Sequence, residues 1–238
     1  MSSDSHLGNA RARAVLALIL SVPVPLAGVL IAGWGQMGVS GQVLWAGLKL
    51  WTVFFPLLWI LVIERRSLSW SPMRHGGAGV GILSGLAFAA LAGGLIWGLR
   101  DWILGSGQFA ESLKEVGLGG KSIFIAGALY WVVLNSLLEE YFWRWFVQEN
   151  LSRSMGPGRS WRACWLSAAL FSIHHLVACW KIMAPGPALA ATFGVFLAGW
   201  KWSILRERYR SIWPGYLSHA IIDIPVFAIG YHLLFGAA

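Results

Sequence analysis

Seven long apolar stretches constrain the fold of this chain more than any other feature of its sequence. Each is 17 to 25 residues long, and a helix needs about 20 apolar residues to cross the hydrocarbon core of a bilayer. Only 12% of the 238 residues are charged, about half the fraction of a soluble domain. The sequence therefore predicts an all-α, polytopic membrane protein with about seven transmembrane helices, within a range of six to eight. The stretches are Ala14–Ala32, Val43–Ile63, Gly77–Leu99, Ile123–Val147, Ala163–Trp180, Ala188–Ile204 and Gly215–Phe235.

The basic residues predict how these helices are oriented, because lysine and arginine accumulate on the cytoplasmic side of membrane proteins. With seven spans, twelve basic residues fall on the side of the N-terminus and four on the other side. We therefore expect a cytoplasmic N-terminus, in a bacterial inner membrane. This distribution accounts for the net charge of +8, so the lipid bilayer is an expected partner and nucleic acid is not. The twelve are Arg11, Arg13, Arg65, Arg66, Arg74, Arg153, Arg159, Arg162, Lys201, Arg206, Arg208 and Arg210.

Three charged residues lie inside the fourth apolar stretch, at Glu139, Glu140 and Arg144. An ionisable group within a membrane costs at least a few kcal/mol, so such residues are candidates for a functional site. On an α-helix, Glu140 and Arg144 are four residues apart with the acid on the N-terminal side, which favours an ion pair. Glu139 is turned away from Glu140 by about 100°. The spacing therefore predicts a structural Glu140–Arg144 pair and a Glu139 carboxylate that needs partners from other helices.

The later apolar stretches supply such partners. The fifth contains His175, on the same helical face as Phe171, and the seventh contains His219, on the same face as Asp223. A single intramembrane histidine is readily explained as a polar bridge between helices. Three spans that each carry an ionisable group are better explained by one shared site. At 1.5 Å per residue the acid and the two histidines lie roughly 8 to 18 Å from the cytoplasmic ends of their stretches, so they can meet in the cytoplasmic half.

The order and spacing of these motifs resemble the CPBP family of intramembrane proteases, the CaaX-protease and bacteriocin-processing group that is also called Abi. The family pattern is matched by Glu139-Glu140-x-x-x-Arg144, Phe171-x-x-x-His175 and His219-x-x-x-Asp223. The resemblance covers about Ile123–Pro225. It divides the chain into residues 1–122, with transmembrane helices 1–3 and an interfacial segment, and residues 123–238, a catalytic core of helices 4–7.

The resemblance implies an intramembrane endopeptidase of the glutamic type, which hydrolyses a peptide bond of a membrane-associated or lipidated protein or peptide. Glu139 would activate the water, because peptide hydrolysis needs a general base. His175 would hold the same water, and His219 would stabilise the oxyanion. No metal or other cofactor is expected. Glu140, Arg144 and Phe171 would support the site structurally.

Two residues near the histidine motifs need a separate assignment. The family often has asparagine where this chain has Asp223, and a carboxylate cannot donate a hydrogen bond. We expect Asp223 instead to accept from His219 and to keep its imidazole oriented or protonated. His174 is an alternative to His175, but it points about 100° away and lacks the spacing to Phe171.

Two other functions use the same residues. The set of Glu139, His175 and His219 could hold a catalytic zinc ion with one open position, although the chain has no His-Glu-x-x-His motif. The same polar cluster could instead belong to a non-catalytic immunity factor, scaffold or proton-coupled carrier. Loss of activity on chelation would favour the zinc enzyme, and internal symmetry between the two halves would favour a carrier.

Three features outside this core predict local structure only. Pro23 and Pro25 should bend the first span. The segment Arg100–Lys121 is polar and should contain a short interfacial helix. The third stretch has a small residue at every fourth position, which permits a close approach to another helix in the membrane; these residues are Gly77, Gly81, Gly85, Ala89 and Gly93.

Overall fold

The computed structural model describes residues 3–34, 38–104 and 108–236, with side chains from residue 8 onward. In these ranges every regular element is helical, and seven helices are long and apolar enough to cross a membrane. Many large apolar side chains on them are exposed, as a lipid-facing surface requires. The prediction of an all-α membrane protein with seven spans is confirmed. The spans, numbered in chain order, are Gly8–Trp34, Val39–Ile63, Ala78–Gly98, Lys121–Met155, Ser160–Ile182, Pro185–Tyr209 and Trp213–Phe235.

The first two spans are interrupted where proline occurs. In span 1, helix α1 ends at Ser21 and helix α2 begins at Pro23, which is where the sequence predicts a bend. In span 2, Pro56 lies inside α3 and a π-helical segment follows. Proline lacks the backbone donor that an α-helix needs at interior positions. The bounds are α1 Ser3–Ser21, α2 Pro23–Trp34, α3 Val39–Leu58 and π-helix Trp59–Ile63.

Span 4 alternates between α- and π-helix, whereas the sequence analysis treated it as α-helical throughout. Glu139 is the last residue of an α-helical turn, and Glu140 is the first residue of a π-helical segment. Single π-turns within α-helices are frequent at functional sites. The segments are α7 Lys121–Leu129, π-helix Tyr130–Asn135, α8 Ser136–Glu139, π-helix Glu140–Val147 and α9 Gln148–Met155.

The remaining helices are regular, and α4 follows a longer non-helical segment, residues 64–77. Between spans 3 and 4, the described part of the polar segment forms two short helices, where the sequence predicted one. The bounds are α4 Ala78–Gly98, α5 Arg100–Leu104, α6 Gln108–Glu115, α10 Ser160–Ile182, α11 Pro185–Tyr209 and α12 Trp213–Phe235.

The small-residue face of α4 packs directly against α12. A Cβ atom at Gly81 would collide with the backbone carbonyl of Pro214, and one at Gly85 would lie 2.9 Å from Cα of Ser218. At Gly93 the Cβ would lie 3.3 Å from Cβ of Pro225. The prediction of a close helix approach is confirmed. Because Ser218 precedes His219 in sequence, α4 supports the part of α12 that carries this histidine.

The main buried cluster has its centre between spans 4, 5 and 6. It is built around aromatic side chains, which bury large apolar areas between helices. Its central members are Phe142, Trp143, Phe146, Phe171 and Trp202. Phe171 and Trp202 also contact the histidines of the candidate site.

Candidate active site

Glu139 lies where spans 4, 5 and 7 converge. Its Oε2 atom is 3.6 Å from Nε2 of His219, and its Oε1 atom is 4.0 Å from Nε2 of His174. Ligand atoms of Glu139, His174 and His175 all lie within 4.8 Å of one another. Residues that are far apart in sequence therefore surround one carboxylate, as the sequence analysis expected for Glu139, His175 and His219. The Glu139 side chain is 17% exposed, so the site is largely closed but accessible.

Glu140 points to the opposite side of His219. Its Oε1 atom is 3.1 Å from Nδ1 of His219 and 3.5 Å from Nη1 of Arg144. The predicted pair between Glu140 and Arg144 is present, and both side chains are fully buried. A carboxylate oxygen only accepts, so Nδ1 of His219 is the donor in this contact. Sequence spacing gave no indication that His219 lies between the two adjacent acids.

The orientation of His175 follows from a contact with its own helix. Its Nδ1 atom is 3.1 Å from the carbonyl oxygen of Phe171, and a carbonyl can only accept. Nδ1 therefore carries the proton, and in the neutral ring Nε2 keeps a lone pair. The two rings are also in contact, with centroids 4.4 Å apart. Phe171 thus holds His175 so that Nε2 can accept a hydrogen bond from water.

His174 also faces Glu139, which the sequence analysis treated only as an alternative. Its ring is stacked on Trp143, with an interplanar angle of 3°, and the residue is buried. Adjacent residues on a helix point about 100° apart, so they can flank a carboxylate that lies between their directions. The position of Glu139 between His174 and His175 depends on how spans 4 and 5 pack, which spacing along one helix does not give.

The contacts of Asp223 differ from the expected hydrogen bond to His219. Asp223 Oδ2 is 3.8 Å from Nε2 of His219, which is beyond hydrogen-bond distance. The same oxygen accepts from the hydroxyl of Ser136 at 2.8 Å. The acid that accepts from His219 in this structure is Glu140. The reason is geometric. The hydroxyl of Ser136 on span 4 reaches Asp223, while the imidazole of His219 turns its Nδ1 atom toward Glu140.

Comparison with known families gives an independent result. Residues 121–225 match a family model described as type II CAAX prenyl endopeptidase Rce1-like. The match covers somewhat less than half of the 238-residue chain. The resemblance identified from the motifs is thereby confirmed. No curated protein and no solved structure matches the chain.

The matched segment contains every residue of the site described above. It begins with span 4 and ends at Pro225, two residues after Asp223. At the level of the family, this Rce1-like segment indicates a CAAX-type membrane protease. The seven spans are consistent with a multi-pass membrane enzyme.

The Rce1-like segment has a possible metal-ligand set that differs from the one expected. The sequence analysis combined Glu139 and His175 with His219, whereas the cluster in the structure contains His174. Zinc ligands at 2.0 to 2.2 Å lie about 3.4 Å apart in a tetrahedral site, so ligand atoms up to 4.8 Å apart would have to move closer. The donor types suit zinc, and the hydrogen bond from His175 to Phe171 is of the kind that orients zinc-binding histidines.

Two glycines of the Rce1-like segment make room for the buried ion pair. A Cβ at Gly215 would lie 2.5 Å from Oε2 of Glu140, and a Cβ at Gly199 would lie 2.9 Å from Nη2 of Arg144. The same Nη2 donates to the carbonyl oxygen of Gly199 at 3.1 Å. Neither glycine was among the site residues predicted from the sequence. Both could have been identified as glycines within apolar helices, where glycine often permits close packing.

Proposed function

We propose that this protein is an intramembrane endopeptidase of the glutamic type, which hydrolyses a peptide bond of a membrane-associated or lipidated protein substrate. The observation that carries the proposal is the convergence of His175 and His219 on one carboxylate, Glu139. This convergence occurs within a segment of a CAAX-type protease family.

In the first step, Glu139 acts as the general base for a water molecule. His175 supports this assignment because its Nε2 lone pair can accept one hydrogen of the same water while Phe171 fixes the ring. The water oxygen adds to the carbonyl carbon of the substrate, and its proton passes to Glu139. A positioned general base of this kind contributes about 10²- to 10⁴-fold to the rate.

The oxyanion formed in this step needs a donor. Nε2 of His219 faces the space between Glu139 and Asp223, at 3.6 and 3.8 Å. Since Nδ1 already donates to Glu140, donation from Nε2 requires a proton on both ring nitrogens. The adjacent carboxylates stabilise this imidazolium. The Glu140–Arg144 pair thus acts through His219 and does not touch the substrate.

The second step breaks the carbon–nitrogen bond. Glu139 returns the proton to the leaving nitrogen, the oxyanion collapses to a carboxylic acid, and a free amine leaves. Atoms and charges balance without an additional reactant. Asp223, which is held by Ser136, remains a carboxylate on the Nε2 side and keeps His219 charged between turnovers.

The site is proposed to lie in the cytoplasmic half of the membrane, with the N-terminus in the cytoplasm of a bacterial cell. The excess of basic residues at one end of the spans supports this orientation. Substrates would then be membrane proteins or peptides whose cleavage site reaches that half of the bilayer.

A zinc-dependent protease is the second candidate, and one observation favours it. Glu139, His174 and His175 bring one carboxylate and two imidazoles together. A zinc ion held by these side chains would supply an activated water at neutral pH. The metal-free mechanism is preferred because the ligand spacing is wider than zinc requires and because Glu139 and His175 can activate water by themselves.

The proposal is tested on the protein in its membrane. Cells that express either the wild type or Glu139→Gln are compared by mass spectrometry of the termini of their membrane proteins. We expect a set of new termini in the wild type only, and cleavage of peptides that span those sites by the purified wild-type protein in lipid nanodiscs. Identical termini in both strains would contradict the proposal and favour a non-catalytic role.

A further inference from the structure

A second cation, the partly buried Lys201, lies beside the site and takes no part in the mechanism above. The sequence analysis counted it among the cytoplasmic charges, but the structure has it inside span 6. Its Nζ atom is 2.5 Å from the hydroxyl oxygen of Ser218 and 4.1 Å from the ring centroid of Phe88 on α4. A lysine inside a membrane helix is energetically costly unless it faces a polar partner. Lys201 therefore bridges spans 3, 6 and 7.

Ser218 accepts a second hydrogen bond, which connects Lys201 to the candidate active site. Nε1 of Trp202 lies 3.3 Å from the same hydroxyl oxygen. The indole of Trp202 is stacked on the imidazole of His219, with centroids 3.8 Å apart and an angle of 15° between the planes. The hydroxyl thus fixes the ring that covers one face of His219.

The charge balance around His219 also supports a role for Lys201. Among the residues that the structure describes here, the carboxylates of Glu139, Glu140 and Asp223 carry three negative charges. Arg144, Lys201 and an imidazolium at His219 carry three positive charges. The cluster is therefore neutral with Lys201 present and has a net charge of −1 without it, and a net charge is unfavourable in a low-dielectric interior.

The short contact to Ser218 does not make a nucleophile. Ser218 is fully buried and lies beneath Gly85 of α4, so a peptide carbonyl cannot reach its hydroxyl. The pair of Lys201 and Ser218 must act through its neighbours.

We propose that Lys201 is a positioning residue, which fixes the imidazole of His219 through the hydroxyl of Ser218 and the stacked indole of Trp202. The proposal rests on the proposed function, because His219 is there the group that stabilises the oxyanion. Lys201 itself does not contact the substrate. Its loss should consequently impair the chemical step more than substrate binding.

The first test measures kcat and KM of the full-length protein in nanodiscs. We expect Lys201→Met and Ser218→Ala each to lower kcat about 10- to 100-fold, the range that a misplacement of up to about 1 Å produces, with KM changed less than about twofold. Lys201→Arg, which keeps the charge and the donors, should restore most of the rate. Lys181→Met is the matched control, since this lysine pairs with the exposed Glu115; it should retain wild-type kcat.

A double-mutant cycle distinguishes an effect of Lys201 that is transmitted through Ser218 from two independent effects of these residues. If Lys201 acts through Ser218, the double variant Lys201→Met/Ser218→Ala should be no slower than the slower single variant. Additive losses, or a fully active Ser218→Ala, would overturn the proposal. Ser218→Ala also covers the case in which Lys201→Met does not fold, because it keeps the lysine.

The second test does not depend on peptidase activity. The chain has six histidines, so nitrogen-15 labelling of histidine gives few ring signals, and His219→Gln identifies those of His219. We expect these signals to shift in Lys201→Met and Ser218→Ala but not in Lys181→Met. Unchanged His219 signals in both variants would overturn the proposal. Shifted signals in a protein that cleaves no peptide would retain the positioning role and refute the proposed function instead.

Discussion

Two clusters of charged residues join the helices of this protein, and they are built differently. The inner cluster consists of Glu139, Glu140, Arg144, His219 and Asp223; its ionic contacts among the described residues range from 3.1 to 3.8 Å. The outer cluster, at the ends of spans 2, 4 and 6, consists of Glu64, Arg66, Glu149, Arg153 and Arg206. There, Arg153 donates to Glu64 at 2.7 and 2.8 Å and to Glu149 at 2.9 Å.

The two clusters also differ in how well their polar atoms are satisfied. In the inner cluster, Oε2 of Glu140 and both Nε and Nη1 of Arg144 are buried and lack a hydrogen-bond partner among the described residues. An unsatisfied buried polar atom costs about 1 to 3 kcal/mol. In the outer cluster, both carboxylate oxygens of Glu64 accept hydrogen bonds, and one buried atom, Nε of Arg206, lacks a partner among the described residues. The outer cluster, with fewer unsatisfied atoms, is thus suited to holding spans together, while the inner cluster leaves polar atoms of its buried ion pair unsatisfied at a cost in stability.

The largest expected effect is a loss of peptide cleavage that follows substitution in the inner cluster but not in the outer cluster. Glu139→Gln should lower kcat/KM for peptide cleavage by at least about 10² to 10⁴, because an amide cannot act as a general base. Glu149→Gln makes the same chemical change in the outer cluster and should retain the activity per folded molecule. Both are measured on purified protein in nanodiscs. A fully active Glu139→Gln would remove the chemical role that we assign to the inner cluster.

Removing one member of the buried pair should have the largest effect on stability. Glu140→Gln or Arg144→Ala leaves an uncompensated charge in the membrane interior, which costs about 3 to 5 kcal/mol. The folded fraction after solubilisation, measured by size-exclusion chromatography, should fall sharply. Glu149→Gln should cost less, since the Glu149 side chain is 36% exposed and Arg153 keeps its contacts to Glu64. If Glu140→Gln were well folded but inactive, the roles of the two adjacent acids would be reversed.

The outer cluster should weaken in acid. Burial raises the pKa of Glu64, but the hydrogen bonds from Arg153 and Arg66 outweigh this, so its pKa lies below the ordinary value. A carboxylate whose pKa is lowered on folding stabilises the protein above its unfolded pKa, and this stability is lost as the pH falls through the folded pKa. Glu64→Gln should therefore lower the melting temperature modestly at pH 7.

Melting temperatures of the wild type and Glu64→Gln at low pH provide the control. The difference in melting temperature between the wild type and Glu64→Gln should shrink as the pH drops below about 4, near the pKa of an unperturbed glutamate. Glu207→Gln serves as a reference, because Glu207 pairs with the exposed Arg210. A difference that grows in acid would contradict the assignment.

The smallest expected effect concerns metal. If Glu139 and His175 activate water by themselves, extensive chelation should leave peptide cleavage unchanged. The measurement compares activity and bound metal in one chelated preparation. Loss of about one equivalent of zinc in step with activity, and recovery on adding zinc, would replace the metal-free mechanism by the zinc mechanism at Glu139, His174 and His175.

Local rules predicted the parts of the fold that depend on one helix at a time. The seven spans followed from the apolar stretches, and the break before Pro23 followed from the missing backbone donor. The contact between Glu140 and Arg144 followed from their spacing and is present even though the segment is π-helical. The close packing of Gly81 and Gly85 likewise followed from a pattern within one helix.

For contacts between helices, the sequence predicted which residues approach one another but not which atoms form the hydrogen bonds. The sequence indicated that Glu139, His175 and His219 approach one another, but it assigned the hydrogen bond of His219 to Asp223 when the partner is Glu140. The reason is that a hydrogen bond requires placement to within about 0.5 Å, while helix spacing gives only the face on which a residue lies.

The sequence by itself determined the number of spans, because hydrophobic transfer is a property of each residue and adds along the chain. It also placed the ionisable groups of the candidate site inside these spans, although it counted Lys201 among the cytoplasmic charges. The tertiary structure decided how those groups are paired. The packing of Gly85 against Ser218 and the stacking of Trp202 on His219 position α12 against spans 3 and 6, and so set the depth and rotation of His219 beside span 4. These two quantities determine which nitrogen of His219 meets which acid, and neither is encoded in any single helix.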